Sequence, residues 1–162
     1  MSARGNAEIC ARILSLLDSV GVTYALREHD AVTSSEVAAT LRGTDLRAGG
    51  KSLVLKADDG FHVVVISAAT RMESRLFRRS IGARRLRFAT PVELAALTGL
   101  VPGCVPPFGV PILPFPLHAD RALLESAQIA FTPGLTTRSI VMESADWARL
   151  ACPRLGDFTE PR

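Results

Sequence analysis

The spacing of hydrophobic positions changes along the chain, and each change predicts an element. Ile9, Ile13, Leu16, Leu17 and Val20 recur on one helical face, with Asn6 placed as an N-cap and Gly21 as a stop, so a helix should run to about Ser19. Val22 to Glu28 reads as a short strand. Thr33 with Glu36 three residues later forms a capping-box pattern, which predicts a second helix with Val37, Ala38 and Leu41 inside and Gly43 at its end. Two β-rich runs follow, Ser52 to Ala57 and Phe61 to Ser67. Asp58, Asp59 and Gly60 separate them, the pattern of a hairpin.

Arg71 to Ser80 can form a basic helix that buries Met72, Leu76 and Phe77, followed by Gly82 and a strand from Arg84 to Phe88. Thr90, Pro91 and Glu93 supply an N-cap, a first-turn proline and a capping-box acid, so a helix is expected from Pro91 to Thr98, closed by Gly99. After a Pro/Gly-rich segment, Val101 to Pro116, strands are expected at Ile129–Thr132 and Arg138–Met142. Ser144 should cap a last helix carrying Trp147 and Leu150. The hairpin demands an antiparallel pair and no clean strand–helix–strand alternation appears, which points to an α/β fold with a mixed, curled sheet and helices outside. The expected organisation is a single domain over residues 1–152 and a loosely held tail over 153–162.

Composition adds limits. The chain has 162 residues, 48% hydrophobic and 22% charged, enough for one core without staples. Cys10, Cys104 and Cys152 cannot all pair and form no CxxC, which suggests a reducing, cytoplasmic setting. The polar opening of residues 1–6 lacks the pattern of a signal peptide. The uncharged stretch Leu94 to Leu117 contains six prolines and cannot span a membrane as a helix. Net charge is +3 from 19 basic and 16 acidic residues, compatible with a nucleic-acid partner. Only Lys51 and Lys56 are lysines. Arg71, Arg75, Arg78, Arg79, Arg84, Arg85 and Arg87 cluster around a single acid, Glu73.

Few residues offer chemistry. His29, His62 and His118 lie apart, with no metal-ligand spacing. His62 reads as a surface position on a strand, while His29 is either structural or placed to line a pocket. There is no G-x-S-x-G elbow, and Cys104 has no neighbour that would lower its pKa, so it reads as a small buried residue. Gly49-Gly50-Lys51-Ser52 echoes a phosphate loop but lacks the upstream glycine and leads into a strand. Lys51 is either a compact donor to phosphate or hydroxyl oxygen, or a solvated strand end. In Gly103-Cys104-Val105-Pro106-Pro107-Phe108-Gly109 the glycines allow backbone N–H groups to approach a ligand and the prolines fix the shape.

Together these segments resemble a known family. Gly49-Gly50-Lys51-Ser52-Leu53-Val54-Leu55-Lys56, the hairpin, Arg85 to Leu94 (RLRFATPVEL), Leu97-Thr98-Gly99 and the Gly103–Gly109 loop are similar, in that order, to the YbaK/prolyl-tRNA synthetase-associated editing domain family. His29 to Ala38 is similar to that family's opening, and the likeness runs from about residue 22 to 150. The resemblance implies a barrel-like sheet and a free-standing aminoacyl-tRNA deacylase, acting in trans, commonly on tRNA for proline, without cofactor or metal. It implies that Lys51 is the required lysine and that Gly103–Pro107 is the family's G-x-x-x-P loop; on chemical grounds Lys51 is then expected to anchor the tRNA 3′ end and the loop's N–H groups to hold the ester carbonyl. Phe108 and Gly109 continue the match, and His29, Thr33, Ser67 and Asp120 join as substrate-binding positions. The implied partners are the CCA end and acceptor stem of aminoacyl-tRNA, met by Arg71, Arg75, Arg78, Arg79, Arg84 and Arg85, and prolyl-tRNA synthetase. Two departures stand out: prolines crowd the strand expected before Asp120, and Thr132 stands where many members carry asparagine. The alternative is a non-catalytic aminoacyl-, nucleotide- or tRNA-binding module of the same fold.

Overall fold

The computed structural model describes residues 3–58 and 60–161. The elements are α1 (Ala7–Val20), β1 (Tyr24–Glu28), α2 (Ser35–Arg42), β2 (Gly50–Ala57), β3 (Gly60–Ser67), β4 (Thr70–Met72), α3 (Ser74–Ser80), β5 (Leu86–Phe88), α4 (Pro91–Thr98), β6 (Leu117–Asp120), β7 (Gln128–Phe131), β8 (Arg138–Glu143), α5 (Ser144–Ala151), β9 (Arg154–Gly156) and β10 (Thr159–Pro161). Among the described residues no helix is long and apolar enough to cross a membrane.

The hairpin β2–β3 is the centre of a five-stranded sheet in the order β5-β2-β3-β6-β9. β5 pairs antiparallel with β2, while β6 and β9 run parallel to their neighbours. A second sheet, β1-β8-β7, is antiparallel, and β4 pairs with β10. Mixed pairing is as expected, but the barrel is not. Among the described residues no sheet closes or curls into a barrel, because the short β5 and β9 leave the large sheet with two edges. Between the two larger sheets, which pack together through side chains, an isolated backbone bridge joins Gly49 to Ala130.

Strand alternation splits the interior between the two faces of β3. Val63 and Val65 enter the main core with Ile13 and Leu17 of α1, Ile129 and Phe131 of β7, and Trp147 of α5. Val64 and Ile66 enter a smaller core with Leu55, Phe77 and Phe158. His62, expected at the surface, is buried on this second face, with its Nδ1 3.0 Å from His118 Nε2. Phe77 of α3 and the neighbouring His118 of β6 cover this face and remove the solvent that the alternation seemed to promise.

The structure departs from expectation elsewhere as well. In α2 the cap is Ser34, not Thr33, and Val37 and Leu41 are each 40% exposed while Ala38 and Arg42 are buried. Residues 70–72 form β4, which delays the basic helix to Ser74; Phe77 is buried but Leu76 is 39% exposed. The strand before Asp120 does form, since Pro116 lies just outside it and its carbonyl accepts the Val63 N–H at 2.9 Å. Ser144 is the first residue of α5 rather than its cap, and its hydroxyl donates to the Ser126 and Ala127 carbonyls. The tail expected over 153–162 is ordered over its described residues, 153–161: they supply β9 and β10, and Phe158 is buried against Phe77.

Candidate active site

A cleft of about 510 Å³ opens where β2 begins. Its walls are the β1–α2 connection, the inner face of α2, the first residues of β2, the Pro102–Val105 stretch and Thr132. Gly50 starts β2 against β7: a Cβ there would sit 2.9 Å from the tip of the Ile129 side chain, which would have to shift, so glycine eases the close approach. That approach fixes the next residue, Lys51, as an exposed cation at the cleft mouth.

Across the cleft the proline-rich loop is held from behind. Trp147 Nε1 donates to the Pro107 carbonyl at 2.9 Å, and the Phe108 ring packs edge-on to Phe131 at 5.8 Å. The Cys104 thiol is buried and donates to the Val101 carbonyl at 3.2 Å; burial pushes its pKa up, so it stays protonated and is a poor nucleophile. Gly103 has a φ of +91° and open space where a Cβ would be, which brings main chain rather than side chain to the cleft. Among the described residues the N–H groups of Gly103 and Val105 have no acceptor, so both can serve a ligand.

Arg42 forms part of the cleft and is only 7% exposed. Its Nε donates to Ser139 Oγ at 2.8 Å, its Nη2 to Thr132 Oγ1 at 3.0 Å, and its Nη1 to the Ala130 carbonyl at 3.4 Å. Burial lowers its pKa to about 10, which leaves it cationic at neutral pH. The chain of contacts continues to His29, whose Nε2 lies 2.7 Å from Ser139 Oγ and whose Nδ1 lies 2.7 Å from the Asp30 carbonyl. That carbonyl can only accept, so in a neutral ring the proton sits on Nδ1. Sequence reading missed Arg42, although it stands four residues after Ala38 on the same helical face.

The cleft thus unites Lys51, Gly103, Val105 and Thr33. Cys104, Pro106, Pro107, Phe108 and Gly109 are the support behind the loop, and His29 reaches the cleft only through Ser139 and Arg42. Ser67 lines a different cavity, its hydroxyl donating to the Arg47 carbonyl at 2.8 Å. Asp120 accepts the N–H groups of Ala122 at 3.0 Å and Phe158 at 2.6 Å, away from the cleft lining. Arg71 pairs with Glu160 at 2.8 Å and Arg87 with Glu93 at 2.7 Å. Arg78 donates to the Arg84 carbonyl, and Arg75, Arg79, Arg84 and Arg85 are exposed. Among the described residues no group of three or more His, Cys, Asp or Glu could hold a metal ion.

Comparison with known proteins places this architecture. The family model of the aminoacyl-tRNA editing domain matches residues 29–150. A protein of Escherichia coli (strain K12) named multifunctional Ser/Thr-tRNA deacylase ProXp-y is 36% identical over 153 residues, 91% of this chain and 90% of its own. The prolyl-tRNA editing protein ProX of Acetoanaerobium sticklandii is 28% identical over 131 residues, 80% of this chain and 74% of its own. A crystal structure described as a candidate trans-editing enzyme for prolyl tRNA synthetase superposes with a TM-score of 0.81 at 27% identity, covering 94% of this chain and 97% of that one. With most of its length under the family model, the chain belongs to the aminoacyl-tRNA editing domain family.

Proposed function

We propose that this protein hydrolyses the ester of mischarged aminoacyl-tRNA in trans, with the 3′ end of the tRNA entering at Lys51 and the acyl group lying against Gly103 and Val105. Aminoacyl-tRNA deacylation as the reaction class follows from family membership. The observation that carries the residue-level reading is the meeting of an exposed lysine and two unengaged backbone N–H groups across one cleft.

Water attacks the ester carbonyl carbon. The Gly103 and Val105 N–H groups stabilise the oxyanion that develops on the carbonyl oxygen. When the tetrahedral intermediate collapses, the carbon–oxygen bond to the ribose breaks, the ribose oxygen takes one of the water's protons, the other passes to solvent, and the amino acid leaves as a carboxylate. The neighbouring hydroxyl of the terminal ribose assists the water, and Lys51 binds the phosphate or sugar of the terminal nucleotide as a point charge. Such editing suits small acyl groups, which a synthetase pocket rejects only by modest factors. Serine and threonine are the leading substrates, supported by the name of the 36% identical relative and by hydroxyls at Thr33, Ser34, Ser35, Ser52 and Thr132 around the cleft. The names of two further relatives support tRNA for proline as the carrier and its synthetase as a partner. Work on charged tRNA belongs in the cytoplasm.

The test is hydrolysis of seryl-, threonyl-, alanyl- and cysteinyl-tRNA, including tRNA for proline, by wild type and Lys51→Ala. Wild type should turn over at least one substrate, and the variant should lose about a hundredfold in rate or more while its unfolding curve stays put. Wild-type inactivity on the whole panel would favour the binding-module alternative; full activity in the variant would remove Lys51 from the mechanism.

A further inference from the structure

The arginine cluster does not survive as one surface. Three of its members are committed within the fold: Arg71 to Glu160, Arg87 to Glu93, and Arg78 to the Arg84 carbonyl. Arg84 and Arg85 differ. The Asp58 carboxylate accepts their backbone N–H groups at 2.6 and 2.8 Å, and this holds the Asp58 pKa below the usual carboxylate range. The loop is therefore pinned through its main chain, while both guanidinium groups stay exposed. They border a groove of about 750 Å³ shared with Lys56 and Arg87. Among the described residues four cations thus flank the groove, and its one acid, Asp58, is already occupied by two N–H donors.

The groove's position relative to the cleft matters as much as its charge. Both lie on β2: Lys51 at one end and Lys56 near the other, five residues and therefore roughly 17 Å apart. Strand alternation sends the two lysines to opposite faces, so a ligand linking them passes over the sheet edge, where β5 covers only Leu55–Ala57. A nucleic-acid strand rises roughly 3.4 Å per nucleotide, so about five nucleotides bridge this span. From a terminal ester in the cleft, that reaches past the unpaired 3′ end to the first phosphates of the stem.

We propose that the Lys56–Arg84–Arg85 groove is an exosite for acceptor-stem phosphates, separate from the site of chemistry. It rests on the deacylase reading for the identity of its ligand, and it gives that reading a polarity: acyl group at Lys51, stem at Arg84 and Arg85. Phosphate contacts of this kind position a substrate without reading its sequence, so the groove serves any tRNA body that carries the right ester. The arginine side chains hold no structural bond among the described residues, and alanine keeps the N–H groups that Asp58 uses.

Two measurements with Arg84→Ala/Arg85→Ala test this. In binding of uncharged tRNA across a salt series, the double variant should bind at least tenfold more weakly at low salt, with the log–log salt slope reduced by about 1.5. In hydrolysis, it should lose activity on seryl-tRNA but keep within twofold of wild type on a seryl ester of the CCA trinucleotide, which is too short to reach the groove. Arg27→Ala/Arg154→Ala, two exposed arginines elsewhere, is the charge-matched control. Wild-type tRNA binding by the groove variant overturns the exosite, as does equal weakening by the control, which would mean diffuse charge attraction. Loss of the trinucleotide reaction overturns the separation of groove and cleft. Wild-type inactivity on both esters counts against the deacylase reading, while the binding series still decides the exosite.

Discussion

Arg42 is held inside the fold by three side-chain hydrogen bonds. Its planar fork reaches Ser139, Thr132 and the Ala130 carbonyl in three directions, joining α2 to β7, β8 and the cleft wall. A lysine offers one donor centre and cannot replicate that fork. Arg42→Lys is expected to cost about 1–3 kcal/mol through unsatisfied buried partners, read as a lower midpoint in urea unfolding. A variant as stable as wild type would mean that the three bonds add nothing net. Lys51 was legible because scarcity of lysine and a glycine pair marked it, whereas Arg42 was hidden among 17 arginines, on a helix whose apolar residues Val37 and Leu41 pointed to the wrong face.

At the level of elements, local signals read best. In α4 the Thr90 hydroxyl accepts the Glu93 N–H, Glu93 returns the bond to the Thr90 N–H, proline opens the helix and Gly99 closes it, all written within ten residues. Arg87 adds two hydrogen bonds to the Glu93 carboxylate, and together with Thr90 they pull its pKa down to about 2. A carboxyl depressed on folding stabilises the protein above its unfolded pKa, near 4.5, and loses that contribution as pH falls through about 2. Wild type should therefore exceed Glu93→Gln in stability at neutral pH by a margin that shrinks between pH 4.5 and 2, measured by unfolding at a series of pH values. A margin independent of pH would rule out this linkage. Elements fixed by distant partners read worst: β4 exists because residues 159–161 pair with it, and β9 because β6 lies beside it.

For the molecule as a whole, the segment after α5 is a structural component. Phe158 stacks edge-on to Phe77 at 5.2 Å, its N–H meets the Asp120 carboxylate, and its carbonyl accepts the Glu73 N–H. Phe158→Ala should cost about 3–5 kcal/mol, seen as a large drop in the thermal midpoint; a change under about 0.5 kcal/mol would mean that the second core is dispensable. The family resemblance implies a substrate contact at Asp120, but in space its carboxylate fastens this C-terminal segment. The same distinction applies to the proline-rich loop, where motif matching could not separate residues that face the cleft from those that brace it. The brace has a practical side. Trp147 is the protein's single tryptophan, and its indole N–H is engaged by the loop's own carbonyl at Pro107. Its fluorescence is therefore an unlabelled optical gauge of loop position, able to register an acyl ligand arriving at Gly103 in stopped flow before any bond is broken.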